Sequence, residues 1–456
     1  MIRTAASFLA ALALAACTAV PAPNTPTRAR QADSDLPPVR SFTRSHPTPP
    51  QRSNANIAAD FLSLHFELES GRPLPTFTRF ETPITVRVTG APPPTLGPDL
   101  ARLLTRLRNE AGIDIRQVRE GDANITIEAV SREQIRRALP QAACFVVPNV
   151  SSLEDFRRHR RDQRTNWSLL TTRTRLGIFL PNDAAPQEVR DCLHEELAQA
   201  LGPLNDLYRL PDSVFNDDNV HTVLTGFDML ILRATYAPEL YSGMSASEVA
   251  AELPDLLSRL NPHGDFLPVD PVSRTPRSWI NNVQTTLGPT ASLGARRTSA
   301  NAAVRTAAEL GWQDHRRAFG HYMLGRIAQA TDPIQAQQNF DAALAYLDRT
   351  PGADLHRAYI VTQTAAHALA RGDAETALKQ IRSNIGVAYR AENAALLSTL
   401  MMLEAEALDL QGQGAKARTV RLDSLGWARY GFGSDWAVRA KMREIAALNP
   451  RRRAES

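Results

Sequence analysis

The chain has 456 residues, 43% of them hydrophobic and 22% charged, enough for two or three domains that each bury a core. Its formal charge of +4 comes from arginines scattered along the sequence, with dense runs only at 157–164 (RRHRRDQR) and 451–453. No aromatic residue interleaves those runs, so they read as solvated faces or a phosphate-facing patch, which argues against a nucleic-acid-binding protein.

The first element is a targeting signal. Arg3 precedes an apolar run over 8–14 that is too short to span a bilayer, and Leu14-Ala15-Ala16-Cys17 follows. This ending resembles the bacterial lipobox. The resemblance implies cleavage after Ala16, lipid attachment at Cys17 (diacylglyceryl, palmitate) and a lipoprotein tethered by its acylated N-terminus. Thr18, where an aspartate is associated with inner-membrane retention, points to the outer membrane with the protein facing the periplasm. Residues 17–55, rich in Pro, Thr, Ser, Ala and Arg, lack apolar periodicity and are expected to form a disordered tether.

From residue 56 the pattern becomes globular. Helices are predicted over 57–68, 99–111 and 132–139, and strands over 82–88, 124–129, 143–147 and 176–180. With Cys17 acylated, Cys144 and Cys192 remain; in an oxidising compartment they are expected to pair, free buried thiols being the alternative.

The stretch 191–206, DCLHEELAQALGPLND, carries the candidate site. Leu193, Leu197, Ala200 and Leu201 recur at helical spacing and face a core, while Glu195 and Gln199, four apart, project side by side with Glu196 next to them. Gly202 is expected to end the helix in a left-handed conformation, Pro203 discourages its continuation, and Asn205 and Asp206 follow. The spacing resembles the metzincin pattern H-E-x-x-H-x-x-G-x-x-H, which lays metal-ligand positions on Glu195, Gln199 and Asn205 and the general base on Glu196. His194 does not repair the pattern, because Ala198 stands four residues on.

Past this helix, 213–219 (SVFNDDN) reads as a polar loop whose Asp217 and Asp218 suit helix capping better than cation binding. A helix is predicted over 223–235, and Met244, in the turn 238–245, stands where a metzincin Met-turn would lie. The runs CLHEELAQALGPLND, SVFNDDN, LTGFDMLILRATY and PELYSGM resemble an uncharacterised domain family of bacterial lipoproteins, over about 56–268. That resemblance implies no activity.

From residue 301 the chain becomes alanine-rich. Gly325, Ala365 and Ala405 fall forty residues apart, as do Ala328, Ala368 and Leu408; Gly372 and Gly412 occupy equivalent turns, and Ala377 and Ala417 begin second helices. The pattern is similar to tetratricopeptide arrays. Trp427, Tyr430, Phe432 and Trp436 are expected to cap the last repeat, part of the cluster lining a groove.

The expected fold is α+β: a zincin-like domain, mixed sheet with packed helices, over 56–268; a linker over 269–300; and an all-α tetratricopeptide-like repeat domain over 301–450. Neutral amide oxygens at Gln199 and Asn205 suit hard cations and serve zinc poorly, so a metal ion is open as a cofactor but zinc is disfavoured. The preferred reading is a degenerate, peptidase-like envelope protein that binds a protein or peptide in the periplasm, with Glu195, Gln199, Asn205 and Asp206 as binding residues. The alternative is a metal-dependent hydrolase with Glu196 as general base.

Overall fold

The computed structural model describes residues 34–288 and 290–455; Cys17 and the signal sequence lie outside the described residues. Leu36–Ser456 form one compact unit. It opens with α1 (Asn54–Phe66), β1 (Ile84–Gly90), α2 (Leu96–Ala111), β2 (Ile115–Gln117), β3 (Ile125–Val130) and α3 (Arg132–Ala138). Then come β4 (Phe145–Pro148), α4 (Leu153–His159), β5 (Leu176–Pro181), α5 (Pro186–Leu201), α6 (Gly226–Thr235) and α7 (Ala246–Leu260).

The five strands run in the order β2-β1-β3-β5-β4, and β4 alone is antiparallel to its neighbour. Alternation along each strand sorts the two faces. Ile125, Ile127 and Ala129 of β3 and Leu176, Ile178 and Leu180 of β5 enter the main core with residues of α1, α2, α5, α6 and α7. On the opposite face Phe145, Val147 and Phe179 pack with Ile135 of α3 and Leu153 of α4. Covering both faces buries the parallel strands β3 and β5 almost throughout, and lets β5 be wholly apolar. The strand β2 left no signal in the sequence, because three residues are too few to reveal a period.

Ten helices follow: α8 (Arg277–Leu287), α9 (Leu293–Glu309), α10 (His315–Ala328), α11 (Pro333–Leu347), α12 (Asp354–Ala370), α13 (Ala374–Arg390), α14 (Ala394–Leu410), α15 (Gly414–Phe432), α16 (Asp435–Ala446) and α17 (Pro450–Glu455). From α8 to α15 each packs against the next, and α12 also touches α14. The forty-residue positions are interhelical. Ala365, Ala405, Ala377 and Ala417 are all fully buried, and a Cβ on Gly325 would stand 2.5 Å from the Phe340 ring of α11. Helix starts earlier than expected, because most of the 269–300 linker is α8 and the beginning of α9. Trp279 and Val283 of α8 are buried against Ala300 and Ala303 of α9. The alanine enrichment that marked the boundary begins only after α8, whose few apolar residues were too sparse to reveal it.

The described part of the tether is not free. Leu36 and Phe42 are buried in the helical core, the Phe42 ring stacks on Trp427 at 4.6 Å between centroids, and Arg40 N–H donates to the Gly426 carbonyl at 3.0 Å. The strap lies so close that a Cβ on Gly426 would meet Arg40 Cγ at 2.8 Å, and one on Gly226 would meet the Thr48 carbonyl at 2.0 Å. Composition missed this because two apolar residues in a proline-rich segment show no period, yet each fills a prepared site. The C-terminal aromatics are redistributed accordingly. Trp427 holds the strap, Tyr430 donates its hydroxyl to Asp99 Oδ2 of α2 at 2.7 Å, Phe432 is half-buried, and Trp436 is 75% exposed.

Candidate functional site

Helix α5 begins with Pro186 at its first turn and presents different residues on different sides. Val189, Cys192, Leu193, Leu197, Ala200 and Leu201 enter the main core as expected. Its C-terminus is held by Arg173, buried, whose guanidinium donates to the carbonyls of Gln199, Ala200 and Gly202. A cation there meets the negative end of the helix dipole. Burial nevertheless lowers the Arg173 pKa to about 10.

Gly202 does not adopt the left-handed conformation expected of it; its φ of −173° is extended. The residue is small for a different reason. A Cβ would stand 2.8 Å from Thr235 Cγ2 and 3.0 Å from His65 Nε2. Leu204 N–H then donates to the Leu64 carbonyl at 2.8 Å, and Asn205 Nδ2–H donates to the Ser63 carbonyl at 3.0 Å. Asn205 therefore fastens the chain to α1.

Asp206 and the glutamates meet a set of carboxylates that the sequence did not bring together. Glu69, from the turn after α1, faces Asp206, and burial raises the pKa of both, that of Asp206 well above the carboxylate range with the Glu69 charge adding to it. Asp217 accepts from the Tyr208 hydroxyl at 2.9 Å. Burial, then the charges of Asp191, Glu69 and Asp217, push Glu195 up to about 8. Burial, then Glu195 and Glu69, raise Glu196 well above the carboxylate range. Glu196 is 5% exposed, and its Oε2 and the Oδ1 of Asp206 have no hydrogen-bond partner. Asp206 and Glu69, but not Glu196, line a cleft of about 400 Å³ together with Ser63, Asn205, Tyr208 and Arg277, and Arg277 donates to the Glu69 carbonyl at 2.8 Å.

His194 faces elsewhere: its Nδ1 accepts the Leu224 N–H at 3.1 Å, and burial keeps the ring neutral. Met244 is buried in the main core, its sulfur accepting from Tyr241 N–H at 3.3 Å and its carbonyl from Phe77 N–H at 2.8 Å. Asp217 and Asp218 do not cap α6, which Thr225 and Asp228 cap reciprocally. The expected disulfide is present, linking Cys144 beside β4 to Cys192 of α5.

The donor set does not fit zinc. Gln199 and Asn205 offer neutral amide oxygens, and the Asn205 amide is already bonded to α1. Among the described residues no three His, Cys, Asp or Glu side chains are disposed to hold a metal ion.

The crowded carboxylates make a pH signature. A carboxyl whose pKa is raised by folding binds more protons in the native state, so stability is greatest below the unfolded value and falls as pH rises through the folded one. For Glu195 the window runs from 4.5 to about 8. Glu195→Gln is therefore expected to lose less melting temperature than the native chain across that window, the gap ceasing to widen above it. Parallel pH dependences would show that the charge is not confined.

No curated protein and no solved structure matches the chain. Residues 54–255, from the first residue of α1 into α7, match the family model described as "Protein of unknown function (DUF2927)", so this segment is a domain of an uncharacterised family.

Proposed function

We propose that the protein is a cell-envelope lipoprotein, anchored through Cys17 to the periplasmic face of the outer membrane, that binds a peptide or protein partner and does not cleave it. In this reading the α+β domain is a zincin-like scaffold that has lost its zinc ligands, and α8–α15 form a tetratricopeptide-like array. The order of strands and helices up to α5, and Met244 in a turn after it, support the first assignment; the forty-residue spacing of buried small residues supports the second.

One observation carries the binding role. Buried carboxylate oxygens of Glu196 and Asp206 lack partners in a crowd of acidic groups, of which Glu69 and Asp206 line an open cleft. Unpaired buried polar groups are costly, and a positively charged group would relieve both the missing hydrogen bonds and the mutual repulsion. The cleft thus selects an ammonium or guanidinium group on the partner.

The test uses short peptides with a free or an acetylated amino terminus, with and without lysine. Basic peptides are expected to bind at least about tenfold more tightly than their acetylated, lysine-free counterparts, and Glu196→Gln to weaken them by about 1–3 kcal/mol, the scale of a lost buried polar contact. Mass spectrometry should recover the peptides intact. Cleavage that disappears in Glu196→Gln would replace this reading with the metal-dependent hydrolase.

A further inference from the structure

The chain has ten histidines, and three of them gather at the seam between the loop 213–221 and the helical region. The ring of His356 lies 5.4 Å from that of His315 and 6.1 Å from that of His221, between centroids. Each uses Nε2 in the same way. His315 donates to the Tyr208 carbonyl at 2.7 Å, His356 to Asp218 Oδ2 at 2.7 Å, and His221 to the Pro211 carbonyl at 3.0 Å.

A carbonyl oxygen can only accept, so the Nε2 atoms of His315 and His221 must carry hydrogen. With Nε2–H so fixed, the free nitrogen of the neutral His315 ring is Nδ1. The Asp218 carboxylate likewise accepts from Nε2–H of His356, leaving Nδ1 as that ring's other nitrogen. His315 and His356 are 3% and 5% exposed, and the Nδ1 atoms of both lack any hydrogen-bond partner. Both imidazoles line a cavity of about 110 Å³ with Asp218, Phe319, Tyr322 and Tyr359.

A buried imidazole whose outer N–H is fixed by a carbonyl or carboxylate, leaving the other nitrogen free, is the arrangement of a metal-ligating histidine. Two neighbouring buried nitrogens without a protein partner call for an ion or a water between them, since an unsatisfied buried nitrogen costs desolvation. The aromatic walls and the imidazole donors suit a borderline divalent ion better than calcium or magnesium, which take oxygen ligands.

We infer that His315 and His356 bind a divalent transition-metal ion of the zinc, nickel or copper class through their two Nδ1 atoms, with the other coordination positions open to water or a ligand in the cavity. The Tyr208 carbonyl and Asp218 fix the two rings from outside. The site shares no ligand with the carboxylates of Glu195 and Glu196 and does not depend on the peptide-binding reading.

The experiment uses the full-length, untagged chain, stripped by chelator and titrated with Zn²⁺, and separately loaded with one equivalent of Cu²⁺ for electron paramagnetic resonance. Zn²⁺ is expected to raise the melting temperature with one-to-one stoichiometry, and the Cu²⁺ spectrum to carry hyperfine structure from at least two nitrogens. His315→Ala and His356→Ala should each weaken Zn²⁺ at least about tenfold, and Asp218→Asn, which alters the outer partner of His356 and also the bonds from Asn216 and Val220, by about 10–100-fold. The spectrum is read on the native protein, so a variant that fails to fold leaves a decisive measurement. Oxygen-only coordination, or Zn²⁺ binding lost in Glu195→Gln while His315→Ala and His356→Ala retain it, would overturn the proposal. Intact peptide binding by the two histidine variants would separate its outcome from that of the acidic cleft.

Discussion

Replacing Arg190 by alanine is expected to destabilise the folded chain by about 3–5 kcal/mol, the usual cost of removing one partner from a buried ion pair. Arg190 lies on α5, is 2% exposed, pairs with Glu392 Oε2 at 3.1 Å, and also donates to the Glu392 carbonyl. Its guanidinium carbon stands 5.3 Å from the centroid of Phe42 and 5.1 Å from that of Tyr430. One side chain therefore joins the helix of the candidate site, the turn between α13 and α14, the N-terminal strap and α15. Alanine would leave Glu392 buried without its cation; burial already raises the Glu392 pKa against the pull of Arg190. Lysine should recover only part of the loss, because an ammonium cannot reach a carboxylate and a carbonyl with a planar fork. Urea denaturation followed by circular dichroism measures the loss. A change under about 1 kcal/mol would mean that the pair does not hold α5 to the helices.

The second large effect is expected from the disulfide. Cys144 and Cys192 are 48 residues apart, and closing a loop of that length in the unfolded chain is worth about 4 kcal/mol in the chain-entropy account. The paired substitution Cys144→Ser and Cys192→Ser should lower stability by about that much. The bridge matters locally because β4 is a four-residue edge strand held by β5 alone. Without the cross-link, hydrogen exchange in β4 should rise before that in β3 or β5. Native protein with equal melting temperatures in the presence and absence of reductant would dispose of the effect.

Much of the fold was legible because its elements are local and periodic. Leu100, Leu103, Leu104 and Leu107 announced α2, and all are buried in the main core. The apolar stripe of α5 was equally plain. Cys144 and Cys192, the two cysteines left once Cys17 is set aside, pointed to each other without any geometry. The missed elements β2 and α4 are short, and α8 has few apolar residues; α7 carries Val249, Leu253, Leu256 and Leu257 at helical spacing, but Pro254 inside it reads locally as a helix breaker.

The candidate site was half legible. Glu195 and Glu196 were visible because a helix sets its own spacing, so their neighbourhood on one face follows from sequence alone. Glu69 was invisible: it stands in an ordinary turn far from α5 in sequence, and nothing local marks it. Asp217 and Asp218 are adjacent in the chain but serve different places, one joining Tyr208 and the carboxylates, the other His356.

By itself the sequence determined the strands other than β2, several of the helices, the family segment and the disulfide partners, since each depends on residue type at short spacing or on a count of two. Only the tertiary structure decided that the strap packs on Trp427, that Arg190 unites four segments, and which carboxylates crowd Glu196. It also decided that His221, His315 and His356 meet. Such convergences bring together residues far apart in the chain, and their energy comes from burial and shared charge, which no local pattern records.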